Sequence, residues 1–449
     1  MTNKLNQNQF YYNMQNLKTS IITYFLIILV VTAFSQSVNK PVALSLNQQR
    51  MENRIFERAI FGKDSLGRGY RVAYTKGDIE GRAWFIGLMK KAGLQVTIDF
   101  AGNIIGKRKG KKASNKSIAF GSHIDMVPDG GNYDGCLGSI AALEMIEVLN
   151  ENNIVTENPL EVIVFSDEEG GPTGSLAMSG HLTAEDLKQV SQSKLTVGNG
   201  IKAIGGNPDS IVFAPRKKGE IKAYLELHIE QGGILENEKI NIGVVQGIVG
   251  IVDWEVTVNG MANHAGTTPM KLRKDALLAA SKLVIAVNEV INSYEGNQVA
   301  NIGKISAYPG AFNVVPGKVI MALEIRDLSS DKIMQLFRDI EKRAAAIALA
   351  SGTTITFNQP IVKVKPALTD KKLQELIAAN AKALGFTTKL MQSGAGHDAQ
   401  DMALITSVGM IFIPSVGGIS HSPKEFSTAK DMANGANVLL QTILMLDKE

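Results

Sequence analysis

The chain has 449 residues, 45% hydrophobic and 20% charged, with Lys plus Arg at 47, Asp plus Glu at 43 and a net charge of +4. That composition excludes a collagen, a mucin-like stalk or a long disordered tail, and the length implies two domains or one domain with a large insertion. The near-neutral balance gives no general case for a nucleic-acid partner.

In chain order, the first feature is the uncharged apolar run Ile21 to Phe34. It is shorter than the about 20 residues a membrane span needs. Lys18 precedes it, and Ala33-Phe34-Ser35 brings small residues near its end. We read residues 1–36 as a secretory signal, cleaved near Ser35 to Gln36, that exports the chain to the periplasm or the exterior. Met14 is an alternative start, since residues 1–13 are polar. An uncleaved anchor and a buried helix are the other readings; after cleavage no membrane contact is expected. A single cysteine, Cys136, excludes an intrachain disulfide.

Asp78 to Leu94 has a helical stripe (Ile79, Phe85, Ile86, Met89), with Asp78 as a candidate cap. Gln95 to Asp99 alternates like a strand. Asn103 to Lys112 carries Lys107, Arg108, Lys109, Lys111 and Lys112, which reads as a solvated hairpin tip rather than a phosphate patch. Ser117 to Phe120, Pro159 to Phe165 and Ala223 to Ile229 read as buried strands, and Gly138 to Leu149 as an apolar helix. Strands alternating with helices imply an α/β fold with a mostly parallel central sheet, whose sites gather at the carboxyl ends of its strands.

The pattern changes near residue 245. Asp253 to Asn259, Asn301 to Tyr308, Val319 to Asp327 and Thr353 to Phe357 read as strands. Asp275 to Ile291 and Lys332 to Leu349 read as helices between them. This β-α-β-β-α-β order is that of a ferredoxin-like α+β module. The expected organisation is therefore 37–244 as the first part of a main domain, 245–357 as an inserted module and 358–449 as the second part. In that last part Asp370 to Leu384 and Ala429 to Leu446 read as helices, and Met410 to Pro414 as a strand.

Only six histidines occur, and five lie in glycine-rich or acidic surroundings. His123 follows a strand, and Asp134 lies downstream in Gly130-Gly131-Asn132-Tyr133-Asp134-Gly135. Glu168 and Glu169 end the next strand, His228 ends another, and His421 sits in Gly418-Ile419-Ser420-His421. Imidazole and carboxylate ligands suit zinc, manganese or cobalt, and the absence of thiolates argues against a structural zinc site. One carboxylate between two histidine-bearing halves can bridge a pair of metals that drives hydrolysis. Asp125, two residues past His123, can orient that imidazole. Singly, a histidine, an Asp-Gly turn or a Glu-Glu pair carries little; together at strand ends they point to a metal centre.

The motifs GSHIDMVPDGGNYDGCLG from Gly121, SDEEGG from Ser166, LELHIEQGGILE from Leu225, NHAGTTPM from Asn263, FNVVPGKV from Phe312, EIRD from Glu324, SGAGHDA from Ser393 and GISHSPKE from Gly418 resemble the M20 metallopeptidase group. Within it they resemble the hydantoinase/carbamoylase amidases, which include N-carbamoyl-L-amino-acid hydrolases and allantoate amidohydrolases. The resemblance runs from about Asp78 to the C-terminus. It implies two divalent metal ions (zinc, or manganese or cobalt) on His123, bridging Asp134, Glu169, His228 and His421. It implies Glu168 as general base. It implies that the inserted module is a lid and homodimerisation domain. Its His264 would reach the substrate carbonyl from the partner subunit, and Asn313 and Arg326 would hold the substrate carboxylate. Gln231 and the backbone near Gly396 match further substrate contacts. His397 matches either a substrate contact or a loop brace through Asp398. His181 matches nothing and reads as a solvent-facing residue at a helix start.

The implied activity is hydrolysis of the linear ureido C–N bond of an N-carbamoyl-L-amino acid or a related ureido acid. The alternatives are an exported dipeptidase or aminoacylase of the same scaffold, and a non-catalytic binding protein on this fold. A cysteine hydrolase built on Cys136 lacks a neighbouring base. One departure stands out. The family often follows Glu-Glu-Gly with a small residue and Arg-Phe, whereas Gly170-Gly171-Pro172-Thr173 stands here.

Overall fold

The computed structural model describes residues 44–112 and 116–449. The expected signal segment and its alternative start lie outside the described residues. Among the described residues no helix is long and apolar enough to cross a membrane.

The strands, in chain order, are β1 (Gln95–Ile98), β2 (Ile104–Arg108), β3 (Ser117–His123), β4 (Leu160–Phe165), β5 (Ile221–Ile229), β6 (Ile242–Ile248), β7 (Gly250–Asn259), β8 (Asn263–His264), β9 (Val299–Tyr308), β10 (Val314–Val315), β11 (Lys318–Asp327), β12 (Thr354–Phe357), β13 (Val362–Val364), β14 (Ala367–Leu368), β15 (Thr388–Ser393) and β16 (Val408–Ile413). A nine-stranded sheet has the order β1-β2-β4-β3-β5-β16-β6-β14, with β15 also on β6. Its centre, β4-β3-β5-β16, is parallel. The flanks are not: β2 runs antiparallel to β4 and β1, and β6 runs antiparallel to β16. The expected mostly parallel sheet is thus a mixed sheet with a parallel centre.

The central strands are buried almost throughout because helices cover both faces. Helix Cys136–Glu151 packs on β3 between helices Gln48–Arg58 and Ala429–Lys448 and is buried over most of its length. Arg50 and Arg54 of the N-terminal helix pin it through Glu144 and Glu147, at 2.6 and 2.7 Å. Helix Lys76–Lys91 starts after Thr75, and Asp78 does not cap it. Asp78 turns inward instead and accepts from Tyr74 N–H at 2.8 Å, and burial pushes its carboxyl up to about 6. The basic segment is not a hairpin tip: the β1–β2 turn lies at Asp99 to Asn103, and Lys107 to Lys112 lie at the other end of β2 and after it, where Lys107 meets Glu161, and Lys111 and Lys112 meet Glu157.

A second sheet has the order β12-β7-β11-β9, all antiparallel, with β13 also on β7. β7 alternates buried and half-buried residues, as a strand covered on one face should. Helices Ala276–Asn292 and Ser330–Ser351 cover that face over a core of Val256, Val258, Leu283, Leu323 and Ile340. Asp275 and Ser329 cap the two helices with their side chains. The boundary expected at 245 falls inside β6, which pairs in the large sheet. β13 extends the second sheet past 357 to Val364. The shift has a local cause, since β6 and β7 follow one another with only Val249 between them.

Candidate metal centre and substrate cavity

The four parallel strands deliver the site. His123 is the last residue of β3 and His228 the penultimate residue of β5. Asp167-Glu168-Glu169 follows β4, and the loop after β16 carries His421. The Asp134 loop leads directly into helix Cys136–Glu151 through Gly135 (φ +61°), where a Cβ would lie 2.2 Å from His123 Nε2. Only glycine lets that backbone pass the imidazole.

Two ligand groups result. His123, Asp134 and His228 present ligand atoms all within 4.8 Å of one another, and so do Asp134, Glu169 and His421. Asp134 belongs to both. Its Oδ1 lies 3.5 Å from His123 Nε2 and 3.2 Å from His228 Nε2, and its Oδ2 lies 3.4 Å from His421 Nε2. His421 Nε2 also lies 3.4 Å from Glu169 Oε2. His228 Nδ1 is 2.9 Å from Ile229 C=O. Only an N–H can meet a carbonyl, so Nδ1 carries the proton and Nε2 faces Asp134. Asp125 accepts from Glu168 N–H and Glu169 N–H at 3.4 and 3.1 Å and faces His123 Nδ1 at 3.5 Å. It therefore shapes the Glu168-Glu169 turn as well as the imidazole.

The electrostatics are those of a cation site. Burial opposes charge on Asp134, but His228, His123 and His421 hold it well below the usual carboxylate range. Burial likewise opposes the His123 imidazolium, yet Glu168, Asp125 and Asp134 outweigh it and raise its pKa well above the ordinary value. Burial pushes Glu168 well up and Glu169 to about 7. Asp134 lifts His421 to about 9. Among the described residues, both His123 ring nitrogens and Glu169 Oε1 are buried without hydrogen-bond partners. Unpaired buried donors and acceptors are costly, and a divalent cation satisfies this set, so the residues present fit a metal. Glu226, His228 and His397 form a third such group, but the Glu226 oxygens already accept from Ser122, Tyr224 and Ala399.

A cavity of about 460 Å³ opens beside these ligands. Asp134, Glu168, Glu169 and His421 line one side, and Arg326, Ile251 and Val364 of the second sheet line the other. Glu324 holds the Arg326 guanidinium through Nε at 2.7 Å and Nη2 at 2.9 Å, and Nη1 donates to Gly394 C=O at 2.7 Å. Five donor hydrogens less these three leave one on each Nη. Gly396 and Gln231 also line the cavity. Gln231 Nε2 donates to Asp134 Oδ2 at 2.6 Å, and its Oε1 is buried without a partner among the described residues. His264 and Asn313 are not brought into this cavity. They lie together at the small antiparallel β8–β10 pair, exposed on the second module, where Ala265 N–H donates to Asn313 C=O.

The family model for peptidase family M20/M25/M40 matches residues 119–445. The chain belongs to this family. It is 37% identical over 403 residues to the N-carbamoyl-L-amino acid amidohydrolase of Geobacillus stearothermophilus, covering 89% of this chain and 98% of that one. It is 36% identical over 424 residues to the ureidoglycolate hydrolase of Arabidopsis thaliana, covering 91% and 89%. The crystal structure of a hydantoinase/carbamoylase-family amidase from Burkholderia multivorans superposes with a TM-score of 0.84 at 33% identity, covering 91% of this chain and all of that one.

Several residues of this M20 chain take places the motifs did not assign. His397 lines the cavity and is braced by Ser393 Oγ at 2.7 Å rather than by Asp398. Burial and His228 hold its pKa well below the ordinary value, so it is neutral. Pro172, in the segment lacking Arg-Phe, lines the cavity with Leu176. His181 is exposed and follows helix Thr173–Ser179 rather than starting a helix. Cys136 is buried as the first residue of its helix. Glu425 lies in the GISHSPKE segment, whose resemblance assigns it no role. It accepts from Tyr133 and Asp134 N–H at 2.8 and 3.1 Å. A carboxylate four residues past the last histidine was the available signal.

Proposed function

We propose that the chain is a metal-dependent amidohydrolase that cleaves the linear ureido C–N bond of an N-carbamoyl-L-amino acid or a related ureido acid such as allantoate. The carrying observation is one cavity with two Asp134-sharing ligand groups and Glu168 on one side and a pre-held Arg326 on the other. His123, Asp134 and His228 would hold one divalent ion, and Asp134, Glu169 and His421 a second, of zinc, manganese or cobalt. When bound, such ions polarise a carbonyl and lower the pKa of water from 15.7 to about 7.

The chain's own residues do the rest. Glu168 reaches the ligand groups at His123 Nε2, 3.5 Å away, without belonging to either. It takes the proton of the attacking water and returns it to the leaving nitrogen. Burial raises its pKa toward the range a proton shuttle needs. Arg326 offers one N–H on each Nη to a substrate carboxylate, an end-on fork already oriented by Glu324. With an N-carbamoyl amino acid the products are the amino acid, ammonia and carbon dioxide. His264 and Asn313, exposed on the second module, complete the site of a partner subunit in a homodimer, where His264 donates to the oxyanion. The run Ile21 to Phe34 exports the chain, which N-terminal sequencing of the exported protein checks.

A metal-reconstituted activity screen across N-carbamoyl amino acids, allantoate, ureidopropionate and dipeptides tests the reading. Turnover of a ureido acid above dipeptides is expected. Turnover of dipeptides alone would replace it with the peptidase reading.

A further inference from the structure

The two ligand groups are anchored differently. His123 and His228 are buried and sit on paired strands of the sheet centre, His123 opposite Phe165 and His228 opposite Phe412. His421 sits in the loop after β16 at φ +52°, with a side chain 49% exposed, and its ring meets Asp134 and Glu169. Strand-borne ligands are positioned by the sheet; a loop-borne ligand needs its own support.

That support converges on Glu425. The carboxylate is buried among polar groups, with Oε1 taking the backbone N–H of Tyr133 and Asp134 at 2.8 and 3.1 Å. Oε2 lies 2.8 Å from Ser420 Oγ, and that hydroxyl also lies 3.1 Å from Asp134 Oδ2. Ser420 precedes His421. One side chain therefore ties the Asp134 loop to the His421 loop, by backbone on one side and by a hydroxyl on the other. The Tyr133 ring packs edge-on against Phe426, centroids 5.6 Å apart, and closes the same two loops from the apolar side. The Asp134 loop passes so close that a Cβ at Gly131 would sit 2.1 Å from Glu425 Oε1.

We infer that Glu425, through Ser420, is a positioning residue that sets the Asp134–His421 separation and so selectively supports the second ligand group, Asp134, Glu169 and His421. This rests on the two-ion reading above. Partners that orient metal ligands are worth about 10–100-fold in metal affinity. The clasp works through hydrogen bonds rather than charge, since a glutamine can keep both links. Its Oε1 would accept the two N–H groups and its amide would donate to Ser420 Oγ.

Cobalt(II) titration of the metal-free protein, read by calorimetry, tests this without reference to turnover. The parent protein is expected to take up two ions. Glu425→Ala should keep the tighter ion and bind the second about 10–100-fold more weakly. Ser420→Ala, which removes one hydroxyl and carries the test if Glu425→Ala does not fold, should weaken the same ion by a smaller factor. Glu425→Gln should restore the second ion to within about threefold of the parent, which a non-specific packing role would not require. Unchanged affinities in Glu425→Ala and Ser420→Ala, equal loss of both ions, or failure of Glu425→Gln to rescue would each overturn the clasp. Fewer than two ions in the parent protein would instead overturn the two-ion reading itself, and the clasp with it.

Discussion

The two modules face each other across the cavity with opposite electrostatic habits. The nine-stranded sheet gathers four carboxylates (Asp125, Asp134, Glu168 and Glu169) and buried histidines whose atoms are partly unsatisfied. The second module contributes an arginine whose guanidinium is already held by Glu324 and Gly394. It rests on an ordinary core, with Trp254 and Phe337 stacked at 4.2 Å. An unsatisfied polar cluster is costly to hold and is retained where a ligand completes it. An arginine already held on its Nε and one hydrogen of each Nη, with one donor left on each Nη, is a finished recognition element. The first side should therefore govern chemistry and the second substrate binding.

The sharpest way to break this division is Glu168→Gln. The amide keeps the size of the side chain but cannot shuttle a proton. Both ions should stay bound while kcat falls by about 10²–10⁴-fold, the usual contribution of general acid–base catalysis. Single-turnover kinetics alongside metal analysis checks it. Near-normal turnover would remove Glu168 from the base role.

On the opposite wall, Arg326→Lys keeps the charge but loses the fork and the side-on contact with Glu324. Losing a charged hydrogen bond costs about 1.5–3 kcal/mol, which is about 10- to 150-fold in KM. The expected signature is a rise in KM with kcat nearly intact. A fall in kcat with KM unchanged would mean that the second module acts in the transition state rather than in binding.

The same contrast separates what the sequence discloses from what it hides. His123, Asp134, Glu169, His228 and His421 are legible because glycine-rich and acidic loops at the ends of apolar strands have few other reasons to hold such residues. The second module is legible because β7 and its two helices keep clear periodicities. The reversal of β6 is not legible, since a run such as Ile242 to Ile248 has the same pattern in either direction. Nor is the inward turn of Asp78, which looks like a cap until Tyr74 N–H is seen to claim it. Glu226 stays hidden, and Glu425 is only faintly marked, because their decisive partners (Ser122 and Ala399 for Glu226, the Tyr133 and Asp134 N–H groups for Glu425) are distant in the chain. The place of His264 depends on where a rigid module sits, and no local pattern records that.

The smallest expected effect concerns the unsatisfied cluster in the metal-free protein, and its sign can be worked out. Glu169 is raised to about 7 and His421 to about 9. A group whose folded pKa is raised holds its proton better in the native state. Its stabilising share is complete below its unfolded pKa and is lost as pH climbs through the folded one. For Glu169 that window runs from about 4.5 to about 7, and for His421 from 6.5 to about 9. His123 and His228, also raised, act in the same direction. His397, held low, acts in the opposite one, gaining as pH rises toward 6.5. Glu168, also pushed up, joins the raised groups, and one group against five leaves a net fall, so the Tm of the metal-free protein should decline by a few degrees between pH 5 and 9. Metal ligands must shed protons to bind, so the Tm gained on adding zinc should widen across the same range. Calorimetric scans at several pH values, with and without zinc, read both slopes. A metal-free Tm that rises with pH, or a zinc increment that shrinks, would mean that these carboxylates and histidines are not the groups setting the stability of this wall.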